Sequence, residues 1–164
     1  MTLADVLRPT HRRGSVAFLY DAALVVGGTL FLALCAQIAI FLPFTPIPIT
    51  GQTLGVLLTG ALLGSRRGGL SLLLYLGEGI AGLPVFSAGR SGLVFFLGPS
   101  GGYLLGFVPA ALVVGWLAER GWDRRPLTTA GAMLLGNVAI YAFALPWLTR
   151  FMAVEAVLVG GLYP

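Results

Sequence analysis

The chain has 164 residues, 57% of them hydrophobic and 10% charged, with a mean hydropathy of +0.93. A soluble domain carries about 25% charged residues, and a core of this size has no room for so much apolar surface, which excludes an ordinary water-soluble globule. The net charge of +4 comes from ten arginines and no lysine, set in short clusters between apolar runs; without a basic face interleaved with aromatics, a nucleic-acid surface is excluded too.

In chain order, residues 1–20 carry Arg8, Arg12, Arg13 and the lone His11, a segment expected on the cytoplasmic side. The apolar run 22–42 follows, with no charge after Asp21. It is long enough to cross a hydrocarbon core of about 30 Å, too long for a signal-peptide h-region, and without a cleavage site. Cys35 lies inside it and is the single cysteine, so no disulfide or thiol metal site is available within one chain. Pro43, Pro46 and Pro48 then stop the helix, since each lacks a backbone donor and disfavours helical geometry before it.

A second apolar segment, 50–64, is closed by Arg66 and Arg67, and a third, 68–83, holds one charge, Glu78. Residues 85–99 form a Gly-rich connection with Ser87, Arg90, Ser91 and Pro99; long connections of this kind commonly carry function. The fourth span is expected at 101–118, before the charged block 119–125, and the fifth at 127–148, interrupted by Pro146 and with Trp147 where an interfacial aromatic sits. A short amphipathic segment covers 152–161. The expected fold is an all-α integral membrane protein, a compact helical bundle forming one domain over 21–164 with five spans.

With the N-terminus in the cytoplasm, Arg8, Arg12, Arg13, Arg66, Arg67, Arg120, Arg124 and Arg125 fall inside, and Arg90 and Arg150 outside. Eight against two fits the positive-inside rule. Glycine occurs 24 times, much of it within spans, where small residues let backbones approach. Ala23/Gly27, Thr29/Ala33, Cys35/Ala39, Gly60/Gly64 and Gly102/Gly106 each lie one turn apart. Internal packing and docking onto another membrane subunit are the two readings of these pairs.

On this topology the Pro-rich loop 43–50 and the Gly-rich loop around Arg90 share the outer face. Phe44, Ile47 and Ile49 make the first oddly apolar for a loop in water, as a stiff lid over an apolar ligand would be, and its prolines reduce the entropy lost on ordering. A guanidinium such as Arg90 grips a carboxylate bidentately; a solvated loop charge is the alternative. Glu78 is costly inside a span, either paired with Arg90 or accepting N–H groups from a ligand. Gln52, Asn137 and Tyr141 complete the polar set. Nothing in the chain has the spacing of a nucleophile–base pair, a metal cluster or a phosphate-binding loop. Active transport would need a separate motor.

The run Pro43-Phe44-Thr45-Pro46-Ile47-Pro48-Ile49-Thr50 with Gln52-Thr53-Leu54-Gly55, then Gly82-Leu83-Pro84-Val85-Phe86, Gly89-Arg90, Gly98-Pro99-Ser100-Gly101-Gly102-Tyr103 and Leu145-Pro146-Trp147-Leu148 resembles, in order, the BioY family. These are the biotin-capturing S components of energy-coupling-factor transporters. The resemblance implies a six-helix subunit of the prokaryotic plasma membrane that binds biotin near the outer face under its first loop. A transmembrane coupling protein and two cytoplasmic ATPases would be its partners, biotin the cargo, and no cofactor is expected. It brings Thr45, Pro46, Phe86 and Tyr103 into the candidate site beside Arg90, Glu78, Gln52, Asn137 and Tyr141. An Ala-x-x-x-Ala docking motif has its nearest equivalent in Ala23/Gly27. The family pattern continues into a sixth helix with a Pro-Gly-Asp motif, so a chain ending at Pro164 is expected to be a truncated product or a fragment. The alternative function is then a binding-incompetent scaffold or assembly subunit.

Overall fold

The computed structural model describes residues 15–41, 43 and 47–151. Among the described residues five stretches of helix cross the bundle, as expected, but the boundaries differ in ways that matter for the site. The first helix, α1 (Ser15–Gln37), begins and ends earlier than the apolar run 22–42. It stops at Gln37 because the backbone turns extended: β1 (Ala39–Ile40) pairs antiparallel with β2 (Ile49–Thr50), Ala39 opposite Thr50 and Ile40 opposite Ile49. β-branched residues favour this geometry. The pairing also satisfies main-chain groups that a loop at membrane depth would leave bare. The Gly51 N–H donates to the Ile38 carbonyl at 2.9 Å and closes the ribbon.

The second and third spans are one continuous stretch, α2 (Gln52–Ile80), broken at Gly64. Gly64 has φ 83° and ψ 175°, a conformation that L side chains avoid, and it reverses the chain. The arms, 52–63 and 65–80, run back antiparallel, so that Gln52 Nε2 meets the Tyr75 hydroxyl at 2.6 Å. At 1.5 Å per residue they are about 18 and 24 Å long, short of the roughly 30 Å hydrocarbon core. Among the described residues, three helices are long and apolar enough to cross a membrane by themselves: α1, α4 and α5. The arms are sheltered between α1 and α4.

The connection 81–100 has partial structure, a 3₁₀ turn at Ser87–Gly89 and one turn of helix, α3 (Leu93–Phe96). Next come α4 (Gly101–Glu119), a turn at Trp122–Arg124, and α5 (Pro126–Leu148). Proline at the first position of α5 forfeits no hydrogen bond, and the helix runs on through Pro146 instead of being interrupted there. The packing order is α1, α2, α4, α5. About two thirds of the apolar stretch of α4 is buried, against 17% in α1 and 28% in α5, which makes α4 the central helix. The large side chains left exposed, such as Phe18, Leu30, Leu34, Leu134 and Val138, suit lipid. The bundle is a multi-pass membrane domain.

Small residues permit this packing. A Cβ on Gly60 would lie 2.7 Å from the Ala111 carbonyl oxygen, and one on Gly106 would lie 2.7 Å from the Ile140 carbonyl oxygen. Both contacts are to backbone. On α1 the buried glycine is Gly28, against Ser71, whereas Ala23 and Gly27 face outward and a Cβ at Gly27 would meet nothing within 4 Å. Internal packing therefore accounts for the Gly60 and Gly102/Gly106 positions and not for Ala23/Gly27.

One end of the bundle is tied by charge. Glu119 of α4 accepts the Ser65 N–H at 2.7 Å and the Ser65 hydroxyl at 2.8 Å, placing a carboxylate at the start of the second arm, where the helix dipole favours it. Arg67 pairs with Asp21 at 2.9 Å, and the Arg120 guanidinium lies 3.6 Å from the Trp116 ring centre. The ribbon and the connection 81–100 close the other end.

Candidate ligand-binding site

A cavity of about 240 Å³ opens at the ribbon end, slightly below the roughly 300–1,000 Å³ usual for small-molecule pockets. Its roof is Ile47, Pro48, Ile49 and Thr50; Gln52 and Thr53 come from the first arm, Ser87 and Phe95 from the connection, Ser100, Tyr103, Leu104 and Phe107 from α4, and Asn137, Ile140 and Tyr141 from α5. Ile47 and Pro48 are buried and pack inward, whereas Ile49, which also borders the cavity, is 39% exposed. An apolar wall with a few polar groups is the composition expected of a small-molecule site.

The polar groups are held in place. Gln52, 5% exposed, donates to the Tyr75 hydroxyl and accepts from the Thr50 hydroxyl at 3.3 Å. Tyr103 and Tyr141 meet edge to face at 5.9 Å. The Asn137 amide donates to the Met133 carbonyl at 3.1 Å, which leaves its oxygen toward other partners. Trp147 clamps the connection to α5 by donating from Nε1 to the Gly98 carbonyl at 3.0 Å. Behind Ser87, Ala88 adopts φ 55°, a left-handed conformation costly for a residue with a Cβ, and Ser87 itself is buried against the cavity.

Of the expected site residues, the fold brings together Gln52, Tyr103, Asn137 and Tyr141 in the cavity wall. Arg90 lies next door, in an open groove with Gly89, Ser91, Val94 and Pro99 that shares Phe95 and Ser100 with the cavity. Its guanidinium carbon lies 5.3 Å from the Phe41 ring centre and 5.6 Å from that of Phe95, within cation–π range. Two other expected residues stand apart from the cavity lining. Glu78 is outside the cavity wall, with the Thr29 hydroxyl of α1 at 3.5 Å, and no ion pair joins it to Arg90 among the described residues. Phe86 is a fully buried core residue, edge-on to Tyr75 at 5.6 Å and beside Phe95 at 5.5 Å. It supports the wall without lining it. Thr45 and Pro46 lie outside the described residues. Sequence reasoning passed over Thr50, Thr53, Ser87, Phe95 and Ser100 as site residues.

The sequence profile of the BioY family matches residues 9–164. The "Biotin transporter BioY" of Rhodobacter capsulatus is 44% identical over 74% of this chain and 67% of its own length. The corresponding protein of Rhizobium etli is 38% identical over 73% and 70%. A "Probable biotin transporter BioY" of Pyrococcus horikoshii is 37% identical over 82% and 80%. Among solved structures, the S-component for biotin from an ECF-type ABC transporter superposes with a TM-score of 0.81, at 23% identity, over 93% of this chain and 85% of that one. The bundle therefore has the S-component fold, and on the extent of the family match this chain is a member of the BioY family.

Proposed function

We propose that this chain is a biotin-capturing transport subunit of the prokaryotic plasma membrane, with the ligand seated in the cavity under the ribbon. One observation carries this reading: in a member of a family whose relatives are named biotin transporters, an apolar pocket with a short list of fixed polar groups lies beside an arginine within cation–π range of two rings. The fused rings and acyl chain of biotin suit Ile47, Ile49, Phe107 and Ile140. Its ureido group suits Gln52, Asn137 and the tyrosines, and its carboxylate suits Arg90 at the mouth. The arginine distribution supports an outward-facing ribbon end, so capture from outside would take place at that end.

Transport then requires partners that hydrolyse ATP, a transmembrane coupling protein with two cytoplasmic ATPases. The outward Ala23/Gly27 face of α1 is the docking surface we assign to the coupling protein. Equilibrium titration of the detergent-purified protein with biotin tests the capture role. Saturable binding at one site per chain is expected; a folded protein that takes up no biotin would instead be the scaffold or assembly subunit.

A further inference from the structure

Behind the Gln52 wall lies a tyrosine that the binding reading above does not use. Tyr75, on the second arm, is 0% exposed and forms no part of the cavity lining. Its hydroxyl receives Gln52 Nε2 at 2.6 Å and donates to the Val85 carbonyl at 2.8 Å. A phenol has one proton, and a main-chain carbonyl can only accept. With the proton given to Val85, the Gln52 contact has to run the other way, the amide N–H donating to the phenol oxygen. That fixes the amide: Oε1 turns from Tyr75 toward the Thr50 hydroxyl at 3.3 Å. Turning the amide over would set two buried acceptors, Oε1 and the Val85 carbonyl, in competition for one proton, and one of them would go without. The amide oxygen has two lone pairs. Thr50 uses one, and the other remains for whatever occupies the cavity that Gln52 lines.

We infer that Tyr75 is a positioning residue: it acts through Gln52 to present a fixed hydrogen-bond acceptor to the ligand, so this wall selects molecules that bring an N–H or O–H donor. The same chain of bonds joins the roof at Thr50 to the connection at Val85. The inference rests on the proposal that the cavity holds biotin, whose ureido N–H groups are the donors.

The test is a ligand-by-variant cycle on the full chain in detergent, with biotin and a biotin methylated on its ureido nitrogens as the two probes. Tyr75→Phe should weaken biotin by roughly tenfold, the worth of one well-placed hydrogen bond, and leave the methylated analogue nearly unchanged. In a Gln52→Leu background, Tyr75→Phe should cause no further loss. Equal losses for both ligands, or additive losses in the double variant, would overturn the inference and leave Tyr75 a packing residue. If the unaltered chain binds no biotin, the proposed function fails separately. Hydrogen exchange of the ligand-free protein then tests the Thr50–Gln52–Tyr75–Val85 chain of bonds on which the positioning role depends. Tyr75→Phe should speed exchange in both 49–53 and 85–90 while leaving the Gly64 end unchanged, and unchanged rates in either segment would reject it.

Discussion

The Arg90 guanidinium lies within cation–π range of Phe41 and Phe95, a contact that leaves in-plane donors for a carboxylate. Arg90→Ala should therefore weaken biotin by about tenfold to a hundredfold, the range of a charge-assisted hydrogen bond. An analogue whose carboxylate is reduced to an alcohol should lose far less, and equal losses in a binding titration would rule out the carboxylate clamp. Arg90→Lys should recover only part of the affinity, because an ammonium lacks the flat face. Ala88 supplies the second residue-level expectation. Its φ of 55° costs roughly 1–2 kcal/mol that glycine would not incur, so Ala88→Gly should raise the melting temperature and Ala88→Val should lower it. Gln52, Asn137 and Tyr141 were legible as candidates because polar groups in apolar spans need a reason to be there, and Tyr103 only through the family resemblance; all four line the cavity. The same rule did not say where Glu78 would sit, beside Thr29 of α1 and apart from the cavity lining, since spacing along one helix does not say which neighbour covers it. Ser87 and Ser100 carried no signal, because a serine in a Gly-rich turn is ordinary.

At the level of elements, hydropathy located all five helical stretches, and it placed the fourth and fifth within a residue at each end, at Gly101–Glu119 and Pro126–Leu148. It failed where main-chain pairing overrides apolarity, at the end of α1, because Ala39 and Ile40 read as span yet pair as strand. The role of glycine was legible in kind but not in direction. A Cβ on Gly106 would lie 2.8 Å from the Ile140 Cα, and since backbone cannot rotate aside, α4 and α5 would have to part. Overpacking of this sort costs about 1–3 kcal/mol or more. Gly106→Val should thus lower the melting temperature of the isolated chain. Gly27→Val, on a face where a Cβ meets nothing, should leave it nearly unchanged and yet reduce co-purification with the transmembrane coupling protein. A large loss of stability from Gly27→Val in the isolated chain would assign that face to internal packing instead.

For the whole molecule, the two ends of the bundle differ in kind, and the difference predicts its orientation. Arg67 paired with Asp21, Arg120 against Trp116, and Arg124 and Arg125 in and just after the turn between α4 and α5 all lie at the Gly64 end; the ribbon, the cavity and Arg90 lie at the other. Positive charge is retained on the cytoplasmic side during insertion, so the Gly64 end should face the cytoplasm and the cavity should open outward, the arrangement an uptake subunit needs. Single cysteines read this directly. In a Cys35→Ala background, Ser91→Cys in the groove by Arg90 should react with a membrane-impermeant maleimide in intact cells. Arg124→Cys, at the opposite end, should react only after the membrane is opened. The reverse labelling pattern would turn the cavity to the cytoplasm, and capture from outside would then have no entrance.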